Sequence, residues 1–104
     1  MATSVVRVVR AQTRPGQAAE LARRWTAFFG PRSPRPPGFR GARLLVDAAG
    51  DRTMALTEWD GEPDAEMVEA TMREFGATVA DLVTGPPMVE RYEVATDIAG
   101  AGPA

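Results

Sequence analysis

The chain contains no cysteine, no histidine, no lysine and no asparagine in 104 residues. Without cysteine there are no disulfides, zinc-thiolate sites or thiol nucleophiles. Without histidine there is no imidazole base, no Ser-His-Asp relay and no histidine-held metal or haem. Chemistry is left to Arg, Asp, Glu, Tyr, Trp, Ser, Thr and the backbone, and neither a metal nor a cofactor is expected. Long apolar runs are missing too: none approaches the length of a spanning helix, and "MATSVVRVVR" lacks the apolar centre of a signal peptide. The expectation is a cytoplasmic protein with no membrane partner. The formal charge is −2 and the arginines are scattered, so there is no footprint for nucleic acid, and a small ligand or a protein partner is expected instead.

What is present reads as one domain over residues 1–95 followed by a loose tail over 96–104. "SVVRVVRA", Ser4 to Ala11, is β-branched and short, which predicts a strand. In "TRPGQAAELARRWTAFFG", Pro15 sits near a helix start, and Ala18, Leu21, Ala22, Trp25, Phe28 and Phe29 recur at helical spacing until Gly30 and Pro31. "GPRSPRPPG" holds four prolines and predicts a stiff surface loop able to cover a cleft. "FRGARLLVD" and "RTMALTEWD" flank "DAAGD" as an antiparallel hairpin. Pro63 is placed for the first turn of a second helix, along which Val68, Met72, Phe75, Val79 and Leu82 recur, with Gly76 as a point for a kink. Gly85-Pro86-Pro87 closes that helix before a last strand, "MVERYEV". Strand, helix, strand, strand, helix, strand is the α+β, ferredoxin-like βαββαβ order, with a four-stranded antiparallel sheet and both helices on one face.

Two helices cover one face of a sheet, yet both faces here are apolar. Val6 and Val8 oppose Val5 and Val9, and Leu44 and Val46 oppose Phe39 and Leu45. A homodimer with sheets packed back to back is the economical cover. Burying roughly a few hundred Å² of apolar surface at ~25 cal/mol per Å² is worth several kcal/mol gross.

In the third strand Thr53, Ala55, Thr57 and Trp59 look one way, and Met54, Leu56 and Glu58 the other. Trp59 either fills the core or walls a pocket that its small neighbours Ala55 and Thr57 leave open. The segments "PGFRGARLLVD", "EWDGEPDAE" and "LVTGPPMVERYEV" resemble the antibiotic biosynthesis monooxygenase family of the dimeric α/β-barrel superfamily, over roughly residues 4–95. The resemblance implies a cavity between sheet and helices for flat phenolic or polyketide-derived aromatics, oxidised with molecular oxygen without metal, flavin or haem. The family's tryptophan matches Trp59, and its substrate-holding asparagine four residues earlier is Ala55 here.

Oxygen attack without a cofactor requires the substrate to be its own reductant, held as a phenol or enol anion in a dry, flat slot. Arg7, on a central strand, is one candidate to hold that anion, or else it forms a salt bridge with Glu58, Glu90 or Glu93. Arg73 is a second candidate, or a surface partner of Glu69. With Trp59 these make the expected catalytic set. Thr57, Ala55, Trp25, Phe29, Phe75 and Met72 are expected around the substrate, and Tyr92 is either a proton donor or a dimer contact. The acidic run Asp60, Glu62, Asp64 and Glu66 complements the start of the second helix. Three activities follow: a cofactor-free monooxygenase, a cyclase or isomerase acting on a similar polyketide, and a non-catalytic ligand-binding or dimerisation subunit.

Overall fold

A computed structural model describes residues 4–32 and 35–100 of the chain. Residues 33 and 34 of the proline-rich loop and 101–104 of the expected tail lie outside the described residues. The elements are β1 (Ser4–Gln12), α1 (Ala18–Phe29), β2 (Phe39–Val46), β3 (Arg52–Asp60), α2 (Ala65–Val79) and β4 (Met88–Glu93). The sheet is antiparallel throughout, in the order β2-β3-β1-β4, which is the ferredoxin-like βαββαβ arrangement.

Local chemistry sets the element ends. Asp64 caps α2 by accepting from the Met67 amide at 3.1 Å, which satisfies one of the amides that a helix start leaves free. Pro63 therefore precedes the cap instead of occupying the first turn. Gly76 lies within α2, which continues to Val79, and Leu82 is buried in the turn beyond it. In the β2–β3 turn, Asp47 Oδ1 accepts from the amides of Gly50, Asp51 and Arg52 at 2.9, 3.1 and 3.1 Å. That knot fixes the hairpin register.

One departure from strict alternation matters for the site. A bulge between Phe39 and Gly41 pairs Phe39 with Trp59 and Gly41 with Glu58. Phe39 therefore shares the face of Ala42 and Leu44 and does not oppose Leu44 as alternation predicts. Gly38 prepares the bulge: it has φ +80, and its carbonyl accepts from the Asp60 amide at 2.7 Å. A Cβ at Gly38 would meet the Asp60 carbonyl oxygen at 3.3 Å.

The dry core is small and off-centre. Leu21, Val79 and Leu82 form it, with Leu44, Phe75 and Val83 against them. α1 packs on β2, β3 and α2, whereas α2 stands further from the sheet. The aromatic side chains of α1 meet Phe75 of α2, with ring centroids of Phe28 and Phe29 each 5.4 Å from it. Those rings hold the helices together along one edge, and the space beneath them stays open.

A surface network also joins the helices. Arg24 Nε reaches Glu20 at 2.8 Å, and its Nη1 reaches Asp81 at 2.8 Å and the Thr78 carbonyl at 2.8 Å. Hydrogen bonds from Arg23 and then Arg24 hold the Glu20 carboxyl down at about 2, against an ordinary 4.5. A depressed carboxyl stabilises fully above its unfolded value and loses that contribution as pH falls through its folded one. The Tm should therefore drop between pH 4.5 and about 2. Glu20→Gln should lower the Tm at neutral pH and flatten that acid limb. Parallel Tm-against-pH curves for the two proteins would refute the assignment.

Candidate functional site

Between the helices and the sheet lies a cavity of about 900 Å³, large enough for a polycyclic ligand. β1 and β3 supply its floor through Arg7, Val9, Ala55, Thr57 and Trp59, while Trp25, Phe29, Met72 and Phe75 come from the helices above. The structure thus brings eight residues singled out in the sequence (Arg7, Trp25, Phe29, Ala55, Thr57, Trp59, Met72 and Phe75) around one space.

Trp59 is both buried and a wall. It is 6% exposed, its ring stands edge-on to Phe39 with centroids 5.3 Å apart, and its other side borders the cavity. Its indole Nε1–H donates to Thr57 Oγ1 at 3.0 Å. Ala55, the next residue on this face toward Thr53, leaves room that a larger side chain would fill.

Arg7 makes none of the expected salt bridges. Glu58 lies on the other face of the sheet with Arg40 at 3.6 Å. Glu90 is held there by Arg10 and by the Tyr92 hydroxyl, each at 2.6 Å. Glu93 pairs with Arg91 at 3.3 Å. Among the described residues the Arg7 guanidinium has no hydrogen-bond or ion-pair partner, and it lines both the main cavity and a side pocket of about 430 Å³. Burial draws its pKa below that of an ordinary arginine, and the charge of Glu62 partly restores it. It stays cationic at any working pH.

Two expected site residues lie elsewhere. Tyr92 is 49% exposed on the outer face as the register partner of Val6, and its bond to the Glu90 carboxylate raises its pKa. Arg73 is exposed and lines neither cavity. One step along a helix turns a side chain by about 100°, so the neighbour of an inward Met72 points away.

Other wall residues went unread in the sequence. Phe39 arrives through the bulge, and Arg32 and Arg35 come from the proline-rich loop. Arg32 lies 4.1 Å from the Phe28 ring centroid and pairs with Glu74 at 3.1 Å. Arg35 donates to the carbonyls of Phe29 and Gly30 at 2.8 and 3.0 Å. These contacts fasten the described part of the loop across the aromatic end of α1, where it forms one side of the cavity. Proline content marked the loop, and nothing in the sequence marked its arginines.

The acidic run is divided among separate tasks. Asp60 pairs with Arg40, Glu62 with Arg91, and Asp64 caps α2. Among the described residues no three His, Cys, Asp or Glu side chains gather where they could hold a metal. No helix there is long and apolar enough to cross a membrane.

No family model matches the chain, and no curated protein matches it. Solved structures do. A Bordetella bronchiseptica protein provisionally named an antibiotic biosynthesis monooxygenase is 19% identical with a TM-score of 0.72, covering 90% of this chain and 99% of its own. A Nitrosomonas europaea protein with the same provisional name is 17% identical with a TM-score of 0.70, over 91% and 93%. A second N. europaea protein, of unknown function, is 21% identical with a TM-score of 0.66, over 97% and 98%. At these identities the likeness establishes the fold.

Proposed function

We propose that the protein is an antibiotic biosynthesis monooxygenase-like enzyme that binds a flat phenolic or polyketide-derived aromatic between helices and sheet and oxidises it with molecular oxygen. The observation that carries this reading is the aromatic-walled cavity of about 900 Å³, with the unpartnered Arg7 cation in its floor. Such a site favours the ionised form of a bound phenol, because the guanidinium stabilises the anion and the apolar walls keep competing water out. The phenolate passes one electron to oxygen, and the resulting radical and superoxide combine at a ring carbon. Loss of water from the hydroperoxide gives a quinone, so one oxygen atom enters the ring and the other leaves as water.

Arg7 is the anion-stabilising group in this reading, and Trp59 and Phe39 set the plane of the slot. The functional unit is a homodimer joined through the outer sheet face, where Leu45, Met88 and Tyr92 are 42%, 62% and 49% exposed. One observation favours a second reading: Ala55 stands where the family resemblance places a substrate-holding asparagine. A site without that amide suits an oxygen-independent cyclisation or isomerisation promoted by shape and anion stabilisation.

Oxygen-electrode assays on a panel of dihydroxynaphthalenes and larger phenolic polycycles test the choice. The oxygenase reading expects one oxygen consumed per substrate, with Trp59→Ala inactive and Trp59→Phe impaired. Conversion that continues under strict anaerobiosis selects the rearrangement. Binding without conversion under either condition leaves a ligand-binding subunit.

A further inference from the structure

We propose that Arg7 and Thr57 form an oxyanion-binding subsite in the cavity floor, with Trp59 as the residue that turns the Thr57 hydroxyl toward the ligand, and that the ligand is a flat aromatic ring bearing a carboxylate or a phenolate. This rests on the reading of the cavity as a ligand site and assigns the polar contact within it.

The hydrogen-bond inventory carries the assignment. An indole N–H can only donate, so in the 3.0 Å bond from Trp59 Nε1 the Thr57 oxygen is the acceptor. The hydroxyl proton of Thr57 must then point away from the indole, and among the described residues no protein acceptor takes it. Arg7 is the register partner of Thr57 on the adjacent strand, which puts their Cβ atoms about 5 Å apart on the same face. Its guanidinium brings up to five further donors and no acceptor. Among the described residues no fully enclosed side-chain nitrogen or oxygen lacks a partner, so the unbonded Arg7 nitrogens remain reachable from the space they line. Two neighbouring donor groups, one of them cationic, thus line the cavity, and no described protein group accepts from either.

The charges around Arg7 fit the same assignment. Its other register partner, on β4, is Arg91. Like charges directly opposite one another are unfavourable in a sheet, but Arg91 is compensated by Glu62 and Glu93. Glu62 and Glu69 also border the side pocket beside Arg7, and neither forms a bond with it. Among the described residues Arg7 is thus the cation of this cluster without a directly bonded carboxylate, and it lies next to the hydroxyl proton that Trp59 orients. A neutral ligand would seal that cation in unpaired, whereas an oxyanion would satisfy both donors at once. Trp59 then serves as a positioning residue for polar recognition, because its N–H is spent on Thr57.

Equilibrium dialysis at pH 7 with 2-naphthoate and 2-methylnaphthalene, the same ring without an acceptor, separates the subsite from the cavity. The wild-type protein is expected to prefer 2-naphthoate by about tenfold or more, as for a charge-assisted hydrogen bond. Arg7→Met should bring that preference to about unity, leave 2-methylnaphthalene nearly unchanged, and raise the Tm because a half-buried unpaired charge has gone. Thr57→Val should weaken 2-naphthoate by about three- to tenfold and spare 2-methylnaphthalene. Trp59→Phe should weaken 2-naphthoate relative to 2-methylnaphthalene, and that selective loss should vanish in the Thr57→Val background, a coupling that a purely structural role would not produce.

Absorbance titration of bound 2-naphthol identifies the source of the charge. A naphthol pKa lowered in wild type and restored in Arg7→Met assigns a phenolate. Naphthoate selectivity without that lowering assigns a carboxylate. Equal affinity of wild type for the two naphthalene probes, or a preference that survives Arg7→Met, overturns the subsite and leaves the cavity standing. Failure of all three probes to bind overturns the reading of the cavity itself.

Discussion

Ala55→Phe should abolish ligand binding while leaving the protein at least as stable as the parent. Ala55 sits mid-strand on β3, paired with Val9 and Leu44, and its methyl group faces the cavity. In a filled core an added ring forces neighbours off their rotamers at a cost of ~1–3 kcal/mol. Here the ring enters open space between Trp59 and the helices and gains up to ~1.5–3 kcal/mol from burial. The same ring occupies the volume that an aromatic ligand needs, so affinity for 2-naphthoate should fall by about a hundredfold or more, close to ~3 kcal/mol. Thermal melting and dialysis on one preparation check both halves. A Tm several degrees below the parent would mean that the space beside Ala55 is already filled, and retained affinity would mean that the ligand binds elsewhere.

Leu56→Glu should dissociate the proposed homodimer into monomers. The side chain of Leu56 lies on the outer face of the sheet, between its register partners Val8 and Arg43. Val6, Met54, Leu45 and Met88 lie on the same face, beside the bonded group of Arg10, Glu90 and Tyr92, and among the described residues no helix covers it. In an isolated chain the new carboxylate remains solvated and costs little. At the centre of a back-to-back sheet interface it must be desolvated, and Arg43 across the strand pair offsets only part of a cost of several kcal/mol, which two-fold symmetry inflicts twice. The dissociation constant should rise on the order of 10⁴-fold, enough to leave monomer at micromolar concentration. Sedimentation equilibrium should give twice 11.1 kDa for the parent and 11.1 kDa for the variant. A parent that already sediments at 11.1 kDa removes the dimer from the proposal.

The architecture was legible because its signals are local. Period-two runs of Val, Thr and Leu marked the strands, and Val68, Met72, Phe75 and Val79 at spacings of three and four marked α2. Gly and Pro punctuated the chain close to where the elements end. Eight candidate site residues could be found for a related reason, since strand alternation and helix periodicity say which side chains share a face, and the cavity lies between two such faces.

The sequence by itself determined the chemistry allowed to this protein: no thiol, no imidazole, arginine as the only strong cation, and aromatic rings grouped on the faces that meet. Tertiary structure alone decided which of those groups are free to act. Three carboxylates were in sequence reach of Arg7, and the pleat sent Glu58 and Glu90 to the opposite face while Arg91 took Glu93. The bulge at Phe39 moved an aromatic ring onto Trp59, and the stand-off of α2 left a void where a core would otherwise be. Periodicity fixes the direction of a side chain along its own element, but whether that side chain finds a partner or empty space depends on the register and distance of elements far away in the chain.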